Sequence, residues 1–150
     1  MSFLQSAPGD DPVILEGLFD APVEDVYRAW TEPTEFATWF TLVDGKSGTA
    51  ELSVEVGGVW RFHLPDGMAW FEGRYTQVED CRTLAFTWRH VRLENGGRSE
   101  TPESRVTVRF EPRGSQTQLH LRHEGASEVG RGSIGTGWTG AFERLKEKVT

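Results

Sequence analysis

The chain has a single cysteine, only two tyrosines among its 150 residues, and no long apolar run. One thiol, that of Cys81, excludes an intramolecular disulfide framework and is typical of a protein from the reducing cytosol. No segment approaches the roughly 20 apolar residues that a membrane-spanning helix needs. Residues 1–12 also lack the apolar core of a signal peptide. The sequence therefore predicts a cytoplasmic protein.

Positive charge is also scarce. The 16 lysines and arginines are outnumbered by 23 aspartates and glutamates, which gives a formal net charge of −7. Nucleic acids and anionic membrane surfaces are bound by clustered basic residues, and the chain has no excess of them. We therefore expect neither a nucleic acid nor a membrane as the partner.

The usual signatures of catalytic and metal sites are missing as well. The four histidines form no H-x-x-x-H pair, Cys81 has no second thiol, and no serine lies in a G-x-S-x-G elbow. The acidic residues mostly fall on the outward side of predicted strands, where solvation is their ordinary role. The sequence thus predicts no metal, no cofactor and no recognisable catalytic group.

One motif points towards nucleotides, but its surroundings do not. Residues 130–135 satisfy G-x-G-x-x-G, the dinucleotide-binding pattern. That pattern functions between a strand and a helix of a βαβ unit, with another parallel strand after the helix. Here the preceding strand is predicted to end near Glu124, and the helix that follows is the last element. We therefore interpret these glycines as a flexible start of that helix.

The first part of the chain predicts one strand and two short helices. The strand covers Val13–Phe19. Pro22 suits the first turn of a helix, and apolar residues then recur with helical spacing as far as Trp30. Pro33 restarts the pattern, so residues 34–40 predict a second short helix rather than a continuation of the first.

From Thr49 onwards the apolar residues alternate, which predicts six further strands joined by hairpins. These strands lie within residues 49–56, 60–64, 68–79, 84–90, 106–110 and 119–123, with a polar loop over 94–103. A final helix is predicted from about Ser133 to Val149. Its apolar stripe comprises Ile134, Trp138, Ala141, Phe142, Leu145 and Val149. Seven antiparallel strands with one long helix on one face make an α+β fold.

The short motifs of the chain, taken in order, are similar to those of a known group. They are Phe19-Asp20-Ala21-Pro22, Val26-Tyr27-Arg28-Ala29-Trp30-Thr31-Glu32-Pro33, Trp39-Phe40, Gly57-Gly58, Trp60-Arg61-Phe62, Glu72-Gly73-Arg74-Tyr75, Leu84-Ala85-Phe86-Thr87-Trp88, Leu121-Arg122-His123-Glu124-Gly125 and Gly137-Trp138-Thr139-Gly140. This ordered set resembles the activator-of-Hsp90-ATPase homologue (AHSA1-like) group of the START/Bet v 1-like (SRPBCC) helix-grip superfamily. The resemblance covers nearly the whole chain, from about residue 12 to residue 149.

The resemblance implies a curved, seven-stranded antiparallel sheet around the C-terminal helix, with an internal cavity whose mouth lies near the two short helices. It also implies a single domain over residues 12–150, after a flexible N-terminal segment of residues 1–11. Members of the group are often ligand carriers, and some act on polyketide-like molecules. The fold alone therefore does not fix an activity.

Inward-facing side chains near such a cavity are the candidates for contact with a ligand. They are Trp39, Trp60, Phe62, Phe71, Tyr75, Phe86, Trp88, His90, Leu121, His123, Trp138 and Phe142. Plain core packing is the alternative for each, because inward rings fill a core as readily as they line a pocket. A similar choice, between bare volume and close packing, stays open for the glycines of the last helix, Gly135, Gly137 and Gly140.

The histidines divide by their position along the strands. His90 and His123 share the inward parity, whereas His63 and His120 fall on the outward, solvent-facing parity. A buried imidazole either anchors a polar group of a ligand or is a core residue whose hydrogen bonds are satisfied. The sequence leaves both interpretations open.

Three hypotheses for the function follow. The first is a noncatalytic binder of a small hydrophobic or aromatic molecule, acting as a monomer or a homodimer. The second is an enzyme for a cyclic or polyketide-like substrate, with His123, His90 or Tyr75 as acid or base. The third, an Hsp90-type cochaperone module, is suggested only by the family name, since the chain has no room for the additional domain that eukaryotic cochaperones use.

Overall fold

The computed structural model of the protein describes residues 3–6, 11–43, 45–126 and 131–149. Its strands are β1 (Leu4–Gln5), β2 (Val13–Phe19), β3 (Leu42–Val43), β4 (Lys46–Ser47), β5 (Thr49–Leu52), β6 (Val59–His63), β7 (Ala69–Glu79), β8 (Thr83–Glu94), β9 (Gly97–Glu100), β10 (Ser104–Arg113) and β11 (Gln116–Glu124). Its helices are α1 (Val23–Thr31), α2 (Pro33–Trp39) and α3 (Arg131–Val149).

The strands form an open antiparallel sheet against which the helices pack. The order across the sheet is β1-β2-β11-β10-β8-β7-β6-β5, with β9 beside β8, and β3 and β4 form a separate two-stranded sheet. Inward side chains of the large sheet share one apolar core with all three helices. The predicted α+β class is confirmed.

The predicted number of strands, seven, is wrong, because the described residues alone form a large sheet of nine. All seven predicted strands are present, and β1 and β9 are additional. β9 lies in the predicted polar loop over 94–103 and pairs with β8 across a two-residue turn, Asn95-Gly96, whose glycine has a φ of 82°. Asn-Gly is the commonest hairpin signal, but every residue of β9 is exposed, so no alternation marked it as a strand.

The N-terminal segment takes part in the sheet where it is described. Leu4 pairs with Glu16 and Gln5 with Leu15, which makes β1 an edge strand beside β2. The side chain of Gln5 also donates to the carbonyl of Gly135 in α3, at 3.1 Å. A strand of two residues is too short to show a period, so no sequence pattern indicates it.

The two short helices form as predicted, with a break before Pro33. The carboxylate of Glu32 accepts a hydrogen bond from the backbone N–H of Glu35 at 2.8 Å and caps α2. At the other end of α2, Arg144 of α3 donates to the carbonyls of Trp39, at 2.9 Å, and Phe40, at 3.2 Å. These carbonyls have no partner within α2 itself, so Arg144 fixes the end of α2 against α3.

The predicted apolar stripe of α3 is also observed. Trp138, Ala141, Phe142 and Leu145 are buried, and Ile134 and Val149 are partly buried. The helix begins at Arg131, two residues before the predicted start. Gly130, the first glycine of the G-x-G-x-x-G pattern, lies outside the described residues, and the pattern from Arg131 onwards is helix. None of the helices in the described part of the chain has the length and apolar character that a membrane crossing requires.

In the middle of the sheet, the side chain of Trp60 crosses the backbone of the neighbouring strand at close range. The indole N–H of Trp60 on β6 reaches across β7 and donates to the carbonyl of Thr87 on β8, at 2.8 Å. The indole passes over Gly73, where a Cβ atom would overlap both the Thr87 carbonyl and the Trp60 nitrogen. Glycine is therefore required at this position for steric reasons.

We expect Gly73→Ala to destabilise the fold by about 1–3 kcal/mol, the usual cost of overpacking, because neither neighbouring group can move without breaking their hydrogen bond. Gly97→Ala is the matched control, since Gly97 also lies in a strand but has nothing within 4 Å of an added Cβ. That control should stay within about 0.5 kcal/mol of the wild type. Urea denaturation measures both, and equal stability of the two variants would contradict the steric argument.

Candidate functional site

A pocket of about 300 Å³ lies between α3 and the inner face of the sheet. It is lined by Phe40, Thr41, Phe71, Trp88, His90, Thr101, Pro102, Ser104, Ala126, Ile134, Gly137, Trp138 and Ala141. Thr101 and Pro102 are exposed, which places the mouth in the segment that leads into β10. The volume lies at the lower end of the range of about 300–1,000 Å³ that is typical of ligand sites.

Four aromatic rings make a continuous wall of the pocket. Trp88 lies between Phe71 and Trp138, with ring centroids 4.8 Å and 5.4 Å away. Phe40, which directly follows α2, lies 5.8 Å from Trp138 and joins the wall from the side of the short helices. The wall therefore depends on β7, β8, α2 and α3 together, and Arg144 holds the end of α2 that carries Phe40.

The structure distinguishes the two roles that the sequence leaves open for Gly135, Gly137 and Gly140, which are bare volume beside the helix and close packing. A Cβ atom at Gly137 would meet nothing within 4 Å, and this residue lines the pocket. A Cβ at Gly135 would lie 3.7 Å from Val13, in ordinary packing contact with β2, and one at Gly140 would lie 3.4 Å from the end of Arg144. Of these three glycines, only Gly137 adjoins open volume.

Behind the wall, three side chains form a buried hydrogen-bonded chain, which we call the Trp138–His123–Ser104 chain. The indole N–H of Trp138 donates to Nδ1 of His123 at 3.0 Å. Nε2 of His123 lies 2.7 Å from the hydroxyl oxygen of Ser104. Trp138 and Ser104 line the pocket, whereas His123 is fully buried on β11.

The chain fixes the tautomer of His123. An indole nitrogen only donates, so Nδ1 of the imidazole must accept and carries no hydrogen. In the neutral ring the single hydrogen is then on Nε2, which donates to the Ser104 oxygen. Burial lowers the pKa of His123 to about 4, with a small opposing effect from Asp11, so the ring is neutral near pH 7. Neither nitrogen is left to take a proton from a ligand.

His90 has a different setting at the outer part of the pocket. Its ring is partly buried and lies 4.9 Å from the ring of Phe71. Partial burial lowers the pKa of His90, and the positive charge of Arg92 adds to this effect. The backbone of His90 exchanges two hydrogen bonds with Thr101, at 2.9 Å and 3.0 Å, which ties the mouth segment to β8.

His63 and His120 lie on the other face of the sheet, as their parity predicts. His120 contacts two carboxylates, Glu16 at 2.7 Å and Glu111 at 3.0 Å. His63 lies 3.5 Å from Glu51. Both contact carboxylates of the outer face and take no part in the pocket.

Of the predicted ligand-contact residues, four line the pocket: Phe71, Trp88, His90 and Trp138. The other predicted positions are buried in the core: Trp39, Trp60, Phe62, Tyr75, Phe86, Leu121, His123 and Phe142. Between Trp60, Tyr75 and Phe86 only about 10 Å³ is open, enough for no more than one water molecule. Trp30 and Phe36, which border the same gap, fill this end of the space under the sheet.

Several lining residues were absent from the sequence prediction, notably Phe40 and Ser104. Ser104 pairs with Trp88 and continues the inward alternation of Val106 and Val108 by one step. That alternation indicates an inward position for residue 104, but a serine side chain is not expected to face a core. Phe40 lies within the predicted second helix, residues 34–40, yet nothing in the sequence shows which aromatic ring of that helix reaches the pocket.

The pocket wall is uncharged. Among the residues that the structure describes, its lining contains no aspartate, glutamate, lysine or arginine. Within the same described ranges, no group of three or more His, Cys, Asp or Glu side chains lies close enough to hold a metal ion. The pocket therefore offers apolar contact with rings, the hydroxyl groups of Thr41 and Thr101, the partly buried imidazole of His90, and the buried hydroxyl of Ser104.

The pKa of His123 makes stability depend on pH. As pH falls below about 6.5, the unfolded chain takes up a proton on His123 that the folded protein does not, so stability is lost down to about pH 4. Between about pH 7.5 and about pH 5 we expect this to cost about 2 kcal/mol. His123→Gln, which keeps an acceptor and a donor, should lack this part of the loss.

Urea denaturation at the two pH values measures the effect. His63→Gln is the matched control, because it removes a histidine of the outer face and leaves His123 in place, so the part of the loss that comes from His123 should remain. The same loss of stability in His123→Gln as in the wild type would show that His123 is not held neutral.

Comparison with known proteins gives one family and many similar folds. The family model for activator of Hsp90 ATPase homolog 1-like proteins matches residues 20–150. A search of curated proteins finds no match to this chain. CalU16 from Micromonospora echinospora is 26% identical, with 100% of this chain and 87% of CalU16 covered and a TM-score of 0.70.

Two further structures extend the comparison. DynU16, a protein of the dynemicin biosynthetic locus, is 25% identical to this chain, with a TM-score of 0.72. The match covers 92% of this chain but only 46% of DynU16. A protein from Arthrobacter aurescens, solved by NMR, has a TM-score of 0.79 at 20% identity, with 97% of this chain and 90% of that protein covered, and shows the shared fold alone. The resemblance seen in the motifs is confirmed: the chain belongs to the AHSA1-like family, within the START/Bet v 1-like (SRPBCC) superfamily.

Proposed function

We propose that the protein binds a small aromatic or otherwise apolar molecule in the pocket between α3 and the sheet. The observation that carries this proposal is the wall of four rings, Phe40, Phe71, Trp88 and Trp138, around about 300 Å³ of open volume. Such a combination of apolar lining and few polar groups is typical of ligand sites. A core that needed only stability would gain by filling this volume.

The size of the pocket limits the ligand. An apolar cavity of about 150 Å³ holds a benzene molecule, so a volume of about twice that suits a molecule of two fused rings. Larger molecules would have to extend out of the pocket at the mouth, beside Thr101 and Pro102. DynU16, one of the similar structures, belongs to a biosynthetic locus, a setting that agrees with a small organic ligand.

The positions of the candidate acid–base residues agree better with noncatalytic binding than with catalysis. Both nitrogens of His123 are engaged, and the ring has no contact with the open volume. Tyr75 lies in the filled part of the core, where burial raises the pKa of its phenol well above the ordinary value. His90 is the one lining imidazole in the described structure, and no carboxylate of the described lining accompanies it. These positions support a carrier or sensor rather than acid–base catalysis.

Gly137→Leu tests the proposal directly. The new side chain enters open space, so the variant should fold, and the loss of a helical glycine should stabilise α3 by up to about 1 kcal/mol. Naphthalene, a two-ring probe, should bind the wild type and bind this variant at least about tenfold more weakly, a difference of about 1.4 kcal/mol. NMR titration of the labelled protein measures both affinities.

Gly140→Ala is the control for this experiment. It also removes a glycine from α3, but its Cβ would face Arg144 rather than the pocket. Its affinity for naphthalene should equal that of the wild type. Undiminished binding to Gly137→Leu, or no binding of naphthalene to the wild type, would count against the proposed site.

A further inference from the structure

Ser104 is the buried polar group of the pocket wall. The residue is 3% exposed, lines the pocket, and lies at the start of β10 opposite Trp88. Its hydroxyl oxygen is 2.7 Å from Nε2 of His123 and 3.4 Å from the carbonyl oxygen of Trp88. A hydroxyl has one hydrogen to donate and two lone pairs to accept with.

The Trp138 indole determines the direction of each hydrogen bond in the Trp138–His123–Ser104 chain. The indole of Trp138 is a donor only, so Nδ1 of His123 accepts. Nε2 of the neutral imidazole must therefore donate to Ser104. The Ser104 oxygen is then an acceptor towards His123, and its own hydrogen has to point elsewhere.

The protein gives that hydrogen a poor partner. Among the described residues, the acceptor within hydrogen-bond range is the Trp88 carbonyl at 3.4 Å. Hydrogen bonds between two oxygens are ordinarily about 2.5–3.0 Å long, so this contact is weak. A buried donor with a weak acceptor gains free energy from a better one, and the adjoining open volume is where a ligand would supply it.

We infer that the pocket selects uncharged aromatic molecules that carry a carbonyl oxygen, which accepts a hydrogen bond from the hydroxyl of Ser104. This inference rests on the proposed function, since it names the chemistry of the ligand at the same site. The rings of the ligand lie against the aromatic wall, and its carbonyl group points to the inner end of the pocket where Ser104 lies.

Two other kinds of ligand are disfavoured: anions, and molecules that can only donate hydrogen bonds. The described lining offers no cation to balance a carboxylate, and an isolated ion is costly to bury. Burial and Arg92 lower the pKa of His90, so its imidazole does not supply that cation near pH 7. A ligand that only donates would share the Ser104 oxygen with His123 and leave the serine hydrogen with its weak contact.

The test uses three probes of the same ring size: 2-acetylnaphthalene, its hydrocarbon isostere 2-isopropenylnaphthalene, and 2-naphthoate. Each is titrated into the wild type, Ser104→Ala and Ser104→Thr, with NMR as the readout. Ser104→Ala should weaken the ketone roughly three- to tenfold, the range of one net hydrogen bond. It should leave the hydrocarbon within about twofold, and Ser104→Thr should restore the ketone. The carboxylate should bind the wild type at least about tenfold more weakly than the ketone.

Infrared spectroscopy gives an independent readout on the wild type. The carbonyl stretch of bound, carbon-13-labelled 2-acetylnaphthalene should lie below its value in an apolar solvent. The shift should disappear in Ser104→Ala. If that variant does not fold, because it leaves Nε2 of His123 without an acceptor, the wild-type frequency alone decides.

The outcomes separate the inference from the function on which it rests. Binding of both uncharged probes with an unshifted carbonyl stretch would overturn the inference and keep the proposed function. Equal weakening of ketone and hydrocarbon in Ser104→Ala, with no shifted stretch in the wild type, would assign Ser104 a structural role and also overturn the inference. No binding of either uncharged probe would overturn both.

Discussion

The hydrogen bond between the indole of Trp138 and the imidazole of His123 determines how α3 lies on the sheet. Both groups are buried, and a buried indole N–H without an acceptor would cost about 1–3 kcal/mol. The bond therefore ties α3 to β11, and the Trp138 ring lies beside Trp88. Gly137, the residue before Trp138 in the helix, then faces space that no side chain of the described residues fills. This buried polar pair thus helps to position one wall of the pocket.

Alternation along the strands was enough to find the inward residues, since Trp60, Phe86, Trp88 and His123 are all buried. Alternation does not separate a core from a pocket, because both need inward rings. The distinction comes from α1 and α2: Trp30 and Phe36 occupy one end of the space, and no ring of the described chain occupies the other. Those are contacts between distant segments, and no local pattern encodes them. The sequence contains a local signal for β9, the Asn-Gly turn, but the polar residues of the strand favour a loop. It also contains one for Ser104, which continues the alternation of β10, but a polar side chain is not expected at an inward position.

Membership of the AHSA1-like family fixes the fold and leaves the activity open, because one fold serves many functions. The site has to be argued from its own chemistry. An uncharged aromatic wall gives affinity for rings but little selectivity among them, since apolar contact has no direction. Selectivity needs a polar group in a fixed orientation. The Trp138–His123–Ser104 chain provides one, because each member fixes the hydrogen of the next and the last member faces the open volume.

The most direct test of this account is whether a two-ring molecule enters the space beside Gly137. Intermolecular nuclear Overhauser effects between naphthalene and the labelled protein measure this without any substitution. The account predicts contacts from the naphthalene hydrogens to the Gly137 α hydrogens and to the indole rings of Trp88 and Trp138, with none to Trp70, which bonds to Glu72 away from the pocket. Saturating naphthalene without contacts to Gly137 and Trp138, or with contacts to Trp70 instead, would contradict it.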